Sequence, residues 1–211
     1  MAKRITDVLL ILCSLPVLLP LLLVVACAIR LKLGKPVLFV QPRAGLKGRT
    51  FLLRKFRSMS ELQDAQGKLL PDNQRLTAFG AFLRRTSIDE LPSLWNVLIG
   101  DMSLVGPRPL LVEYLPRYTA EQMRRHDVRP GITGLAQING RRNLVFSKRL
   151  ELDTRYVETH SWWLDAKILF LTLYRSGDKL HAHQEIGDVD DLGLHNTTVA
   201  SVRVGVPSRA A

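Results

Sequence analysis

"VLLILCSLPVLLPLLLVVACAI", residues 8–29, is a run of 22 residues without a charge, and it carries two prolines, Pro16 and Pro20. As a straight helix it would reach roughly 33 Å, enough to cross the hydrocarbon core of a bilayer. Each proline lacks an N–H and crowds the preceding turn, so together they free the carbonyls of Leu12 and Pro16 and predict a bend. Lys3 and Arg4 precede the run, and Arg30, Lys32 and Lys35 follow it. Positive residues favour the cytoplasmic side of a membrane, and here they hold both ends. A helix that enters, bends at the prolines and returns satisfies both flanks. A spanning helix is the competing reading. Val24-Val25-Ala26-Cys27 also resembles a lipoprotein cleavage box, although the run is longer than a usual secretory h-region and is followed at once by Arg30 and Lys32.

Charge follows the same run. Residues 1–60 carry eleven Lys and Arg against one acidic residue, Asp7, whereas the other 151 carry nineteen against eighteen. A basic skew beside an apolar segment fits an anionic lipid surface, where each nearby cation contributes roughly 1 kcal/mol. Nucleic acid binding would not explain why the charge brackets a hydrophobic run, and no nucleic acid partner is expected. Both cysteines, Cys13 and Cys27, lie inside the run, leaving none to staple a secreted domain.

Beyond the run, Val37–Gln41 and Thr50–Phe56 read as extended segments joined by a turn at Gly45 and Gly48, a hairpin. "LTAFGAFLRR" (76–85) and "LPSLWNVLIG" (91–100) show helical spacing. "LLVEYLPRYTAEQMRRHDV" (110–128) is helical with an interruption at Pro116, and "RPGITGLAQINGRR" (129–142), rich in Gly and without a period, reads as a loop. "KRLELDTRYVETH" (148–160) and "SWWLDAKILFLTLYRS" (161–176) are helices. Trp162 and Trp163 suit the lipid headgroup level, and a buried core helix fits that last segment equally. The expected fold is α+β and mostly helical: a membrane hairpin over residues 1–32, a compact catalytic domain over 33–186 with a short β-hairpin and interfacial amphipathic helices, and a polar tail over 187–211.

Asp89 and Glu90 in "RRTSIDELPSLWNVLIGDMSLVGPRPLLVEYL" (84–115) are adjacent carboxylates with Arg84 and Arg85 just upstream. Ser87 and Glu90 have the spacing of a capping box, but Pro92 suits that box poorly, so the local sequence supports a helix cap and an active site alike. As an active site, one carboxylate attacks phosphorus while its neighbour helps to hold Mg²⁺. Lys55, Arg84, Arg85, Arg108, Arg129, Arg141 and Arg142 are candidate phosphate clamps, the guanidinium fork matching phosphate geometry.

"KFRSM" (55–59), "SIDELPSLWNVLIGDMSLVGPRPLLVEYL" (87–115) and "RHDVRPGITGLAQINGR" (125–141) resemble, in order and spacing, the bacterial sugar transferase family of monotopic phosphoglycosyl transferases. The length is similar to that of small members holding only the catalytic core. The resemblance implies transfer of a sugar 1-phosphate from a UDP-sugar to undecaprenyl phosphate, releasing UMP, at the start of bacterial glycan biosynthesis. It implies a ping-pong route in which Asp89 is the covalent nucleophile and Glu90 a Mg²⁺ ligand. Lys55, Arg84, Arg108, Arg141 and Gln137 fall on positions that bind substrate. It also implies a re-entrant helix-break-helix at Pro20, with Pro16 supplying part of the bend because Leu19 stands where many members have Ser. The catalytic domain would then face the cytoplasm on the inner membrane, among anionic lipids. Two rival readings remain from the residues themselves: an exported lipoprotein, and a peripheral membrane module without catalysis.

Overall fold

Residues 2–140 and 144–174, together with Leu192, are described by the structure, a computed structural model of the chain. Arg141 and Arg142 lie outside the described residues, as does the 187–211 tail apart from Leu192.

The apolar run is one helix, α1 (Ala2–Lys32), with Pro16 and Pro20 inside it. Among the described residues it is the one helix long and apolar enough to cross a membrane. Its two ends, not its middle, pack on the rest of the chain. Near the start, Arg4 donates to the carbonyls of Val97 and Leu98, Lys3 pairs with Asp165, and buried Asp7 accepts from the Ser103 hydroxyl at 2.7 Å. Ile11 then enters a core cluster with Phe51, Leu53, Val97 and Met102. Near the end, Val25 and Ile29 pack with Phe56 and Leu83. Between these grips, Val17, Leu19, Leu23 and Val24 are exposed.

A tight turn leads from α1 into an antiparallel hairpin of β1 (Leu38–Ala44) and β2 (Thr50–Phe56), registered from Leu38 opposite Phe56 to Ala44 opposite Thr50. The junction is locked by Arg57, whose guanidinium donates to the carbonyls of Leu33 and Lys35. β1 runs past the expected Gln41 to Ala44 and takes in Pro42, which a sheet edge tolerates because the missing N–H can face outward. The turn at 45–49 needs Gly48, whose φ is +73°.

Next come α2 (Asp72–Arg75), α3 (Ala78–Thr86), a 3₁₀ segment (Ile88–Ser93) and α4 (Leu94–Ile99). Thr77 caps α3 by accepting from the Gly80 N–H. The expected helix 91–100 thus divides after Ser93, with Pro92 inside the 3₁₀ segment and the α-helix proper beginning at Leu94. Asn96, fully buried, clamps α4 to the hairpin: its side chain accepts from Arg54 N–H at 3.1 Å and donates to Leu52 O at 2.8 Å.

The segment expected to be one interrupted helix over 110–128 is three short pieces: a 3₁₀ turn (Val112–Arg117), α5 (Ala120–Met123) and a second 3₁₀ turn (Arg124–Asp127). The expected loop over 129–142 holds regular structure as well. β4 (Gly131–Thr133) pairs in parallel with β3 (Ser103–Val105), and α6 (Leu135–Ile138) follows. Strands of three residues show no period, so nothing local marks them.

α7 (Phe146–Thr159) and α8 (Trp162–Tyr174) close the described fold. Val105, Ile138, Tyr156 and Ile168 form the core beneath β3. α8 buries only Asp165 and Ile168, while Trp162, Trp163, Phe170, Leu173 and Tyr174 are exposed, Trp163 at 85%. That excludes the buried-core reading of α8 and leaves an apolar face open. The chain is α+β, mostly helical, with a short hairpin as expected.

Candidate active site

Ser87 adopts the left-handed conformation (φ 57°) and turns the chain sharply from α3 into the 3₁₀ segment that carries Asp89 and Glu90. Its side chain does not cap that segment, so the capping-box reading fails here. β2 packs against the 3₁₀ turn and brings Lys55 to it. Lys55 Nζ donates to Glu90 Oε1 at 2.7 Å, and Arg108, from the loop after β3, donates to the same oxygen at 2.9 Å. The Glu90 side chain is 19% exposed. Burial alone would raise its pKa, but Arg108 and Lys55 overcome this and hold the carboxyl well below the usual range. Glu90 is therefore ionised at neutral pH.

Asp89 is buried. Burial and the neighbouring Glu90 charge push its pKa up, against the pull of Lys55, Arg84 and Arg108. Two adjacent carboxylates thus have their proton affinities driven in opposite directions, a pattern common at reactive sites. Lys55 is pushed down by burial and Arg108.

Of the residues expected from sequence, the fold brings Lys55, Glu90 and Arg108 into contact and sets Asp89 beside them. Arg84 reaches the Ser58 hydroxyl at 2.8 Å and acts on Asp89 through its charge. Arg129 donates through Nε to the Gly100 carbonyl at 2.8 Å. Arg85 is exposed on α3. Gln137 lies on α6, where both polar atoms of its side-chain amide are buried without a partner among the described residues.

Two further parts of the site were not foreseen. Arg43, from β1, lines the same cavity as Lys55, Glu90 and Arg108. Behind Arg108, buried Arg125 donates through Nη2 to the Arg108 carbonyl at 2.6 Å and to Asp153 Oδ2 at 2.6 Å. Hairpin register could have pointed to Arg43, which lies on the same face as Lys55. Nothing local pairs Arg125 with Asp153.

For a metal, the described residues offer no group of three or more His, Cys, Asp or Glu side chains. They offer the dyad, and Lys55 and Arg108 occupy only one of the two Glu90 oxygens. A site of one or two carboxylates completed by substrate phosphates and water is the usual mode for Mg²⁺, so these residues fit it.

Asp89 and Glu90, two carboxylates whose proton affinities are driven apart, thus stand among Lys55, Arg84 and Arg108 on a fold that begins with a long apolar helix. The chain belongs to the bacterial sugar transferase family, whose model matches residues 1–178. It is 56% identical over 153 residues to the Bacillus subtilis (strain 168) "Uncharacterized sugar transferase EpsL", covering 72% of this chain and 76% of that protein. It is 43% identical over 183 residues to a Klebsiella pneumoniae "UDP-glucose:undecaprenyl-phosphate glucose-1-phosphate transferase", covering 82% of this chain and 39% of that protein. A Caulobacter vibrioides protein of the same name is 41% identical over 181 residues, covering 81% of this chain and 68% of that protein. The chain therefore spans about two fifths of the Klebsiella relative and larger shares of the other two.

Proposed function

We propose that this chain is a phosphoglycosyl transferase that moves a sugar 1-phosphate from a UDP-sugar to undecaprenyl phosphate, initiating a bacterial glycan. The observation that carries this reading is the pairing of buried Asp89, driven towards its neutral form, with Glu90, held ionised by Lys55 and Arg108. A family of sugar transferases and relatives named for UDP-glucose and undecaprenyl phosphate supply the substrate classes.

In the first half-reaction an Asp89 carboxylate oxygen bonds to the distal phosphorus of the donor, and the bond from that phosphorus to the bridging oxygen breaks. The electron pair stays with the bridging oxygen and leaves on UMP. In the second, a phosphate oxygen of the polyprenyl acceptor attacks the same phosphorus and restores Asp89. Arg108 and Lys55 sit where they can neutralise phosphate oxygens, and positioning plus charge neutralisation is most of what phosphoryl transfer needs. Glu90, with Asp89, would hold Mg²⁺, which supplies further neutralisation when bound.

The membrane arrangement we propose is monotopic, with α1 entering and leaving one leaflet. Both ends of α1 pack on the same domain while its middle is exposed, and Lys3, Arg4, Arg30, Lys32 and Lys35 flank the two ends. A helix crossing the bilayer would have to place those ends on opposite sides. The open apolar face of α8, led by Trp162 and Trp163, suits the headgroup boundary of that same leaflet. By the positive flanks the domain faces the cytoplasm, where UDP-sugars are.

The decisive experiment is UMP release by the purified full chain with undecaprenyl phosphate and Mg²⁺ across a panel of UDP-sugars, UDP-glucose first. Release with one donor, lost in Asp89→Asn, supports the reading. No release with any donor, or undiminished release by Asp89→Asn, overturns it.

A further inference from the structure

Arg43 stands out among the groups that the first half-reaction leaves unused. Residues directly opposite in an antiparallel pair share a face, so Phe51, Leu53 and Lys55 on β2 lie on the same side of the hairpin as Arg43, Gln41 and Phe39 on β1. Arg43 and Lys55 therefore line one cavity, together with Leu53, Glu90 and Arg108. The next residue fixes β1 to the Arg108 loop, Ala44 N–H donating to Leu110 O at 3.1 Å.

The Arg43 guanidinium has no ion-pair partner among the described residues. One η nitrogen donates to the neutral Gln41 Oε1 at 2.7 Å, and Nε is buried with no partner. Burial and the nearby Arg108 charge push its pKa down to about 10, only partly offset by Tyr114, Glu113 and Glu90. A half-buried cation beside another cation in a cavity wall, with one donor left idle, is a group arranged for an anion that arrives from outside.

Position says which anion. Arg43, Lys55, Glu90 and Arg108 line this cavity, and Asp89 is not part of its wall. Arg43 thus shares the Glu90 side of the dyad, apart from the attacking Asp89 oxygen. We infer that Arg43 is a binding residue for the leaving phosphate, gripping with Arg108 the nucleoside-side phosphate of a nucleoside diphosphate donor while the distal phosphorus faces Asp89. The inference rests on the reading of Asp89 as nucleophile. As the bond to the bridging oxygen breaks, that oxygen keeps the electron pair, and the phosphate of the departing UMP gains a negative charge. Arg43 stands where that charge grows.

The test is equilibrium binding of UMP to the full chain in lipid nanodiscs, alongside KM for the donor. Arg43→Gln should weaken UMP binding and raise KM about ten- to hundredfold, the range for a hydrogen bond between charged groups. Arg43→Lys keeps the charge but loses the fork, and should recover part of the affinity. Asp89→Asn should bind UMP at least as well as wild type. UMP affinity within twofold of wild type in folded Arg43→Gln overturns the inference, and so does a wild-type chain that binds no UMP. Equal losses in the Lys and Gln variants, with lowered melting temperatures, would mark Arg43 as structural and overturn it too. If wild type binds UMP through Arg43 but transfers no sugar phosphate from any donor, the transferase reading fails and the phosphate site stands.

Discussion

Lys55 Nζ stands 2.7 Å from Oε1 of Glu90, an ion pair between residues 35 apart in sequence that joins the hairpin to the 3₁₀ turn. Arg108 shares that oxygen, so Glu90 restrains two cations that would otherwise repel each other. The pair is both a structural joint and a means of keeping one carboxylate charged beside another that resists charge.

Glu90→Gln should therefore lower stability by about 2 kcal/mol, as expected for lost hydrogen bonds to a charged group. The sign with pH follows from the depressed pKa: the stabilisation is present above the ordinary carboxylate range and is lost as pH falls through the folded value. The melting-temperature gap between wild type and variant should therefore narrow on acidification below about pH 4. The same variant should lose its response to added Mg²⁺ in UMP-release assays.

Asp89→Asn should reduce turnover by at least about 10³-fold, as loss of a covalent nucleophile does. Because the Asp89 pKa is raised, folding favours its protonated form, and that contribution disappears as pH rises through the folded value. The inactive variant should match or exceed wild type in melting temperature at pH 7 and above. For the same reason the acid limb of wild-type kcat/KM should lie above the ordinary aspartate range.

Arg125 and Asp153, with side chains 1% and 4% exposed, support Arg108 from behind. Arg125→Met strands a buried carboxylate and should cost about 3–5 kcal/mol, read by chemical denaturation. Arg125→Lys keeps the charge but cannot make both bonds. It should raise donor KM more than it changes kcat, because the Arg108 carbonyl loses its tether.

Gly131→Ala tests the parallel strand pair. Gly106 N–H donates to Thr133 O, and Gly131 N–H to Pro107 O, each at 2.9 Å, and a Cβ on Gly131 would collide with the Gly106 backbone. The two strands would have to part, displacing Pro107 and Arg108. Destabilisation of about 1–3 kcal/mol or more is expected, with loss of UMP binding as the functional readout.

The re-entrant arrangement predicts that both ends of α1 lie on one side of the membrane. With Cys13 and Cys27 replaced by Ser, Ala2→Cys and Lys35→Cys should both resist an impermeant maleimide in intact cells and both react in inverted vesicles. Labelling of one end alone from outside would mark a spanning helix.

Within these 211 residues, whatever depends on neighbours in sequence was legible without coordinates. The apolar run, the hairpin turn at Gly45 and Gly48, α3, α7 and α8 follow from periodicity and turn chemistry, which are local. Blocks of motif residues likewise marked Asp89, Glu90, Lys55 and Arg108. Tertiary structure alone decided the rest. β3 and β4 are three residues each and pair across 28 positions, Ser103 to Gly131, so no period betrays them. Arg43 becomes a site residue only when the hairpin folds its face over Glu90, and Arg125 meets Asp153 only when α7 packs back. Charges buried together are selected by distance in space, and one-dimensional order does not encode that distance.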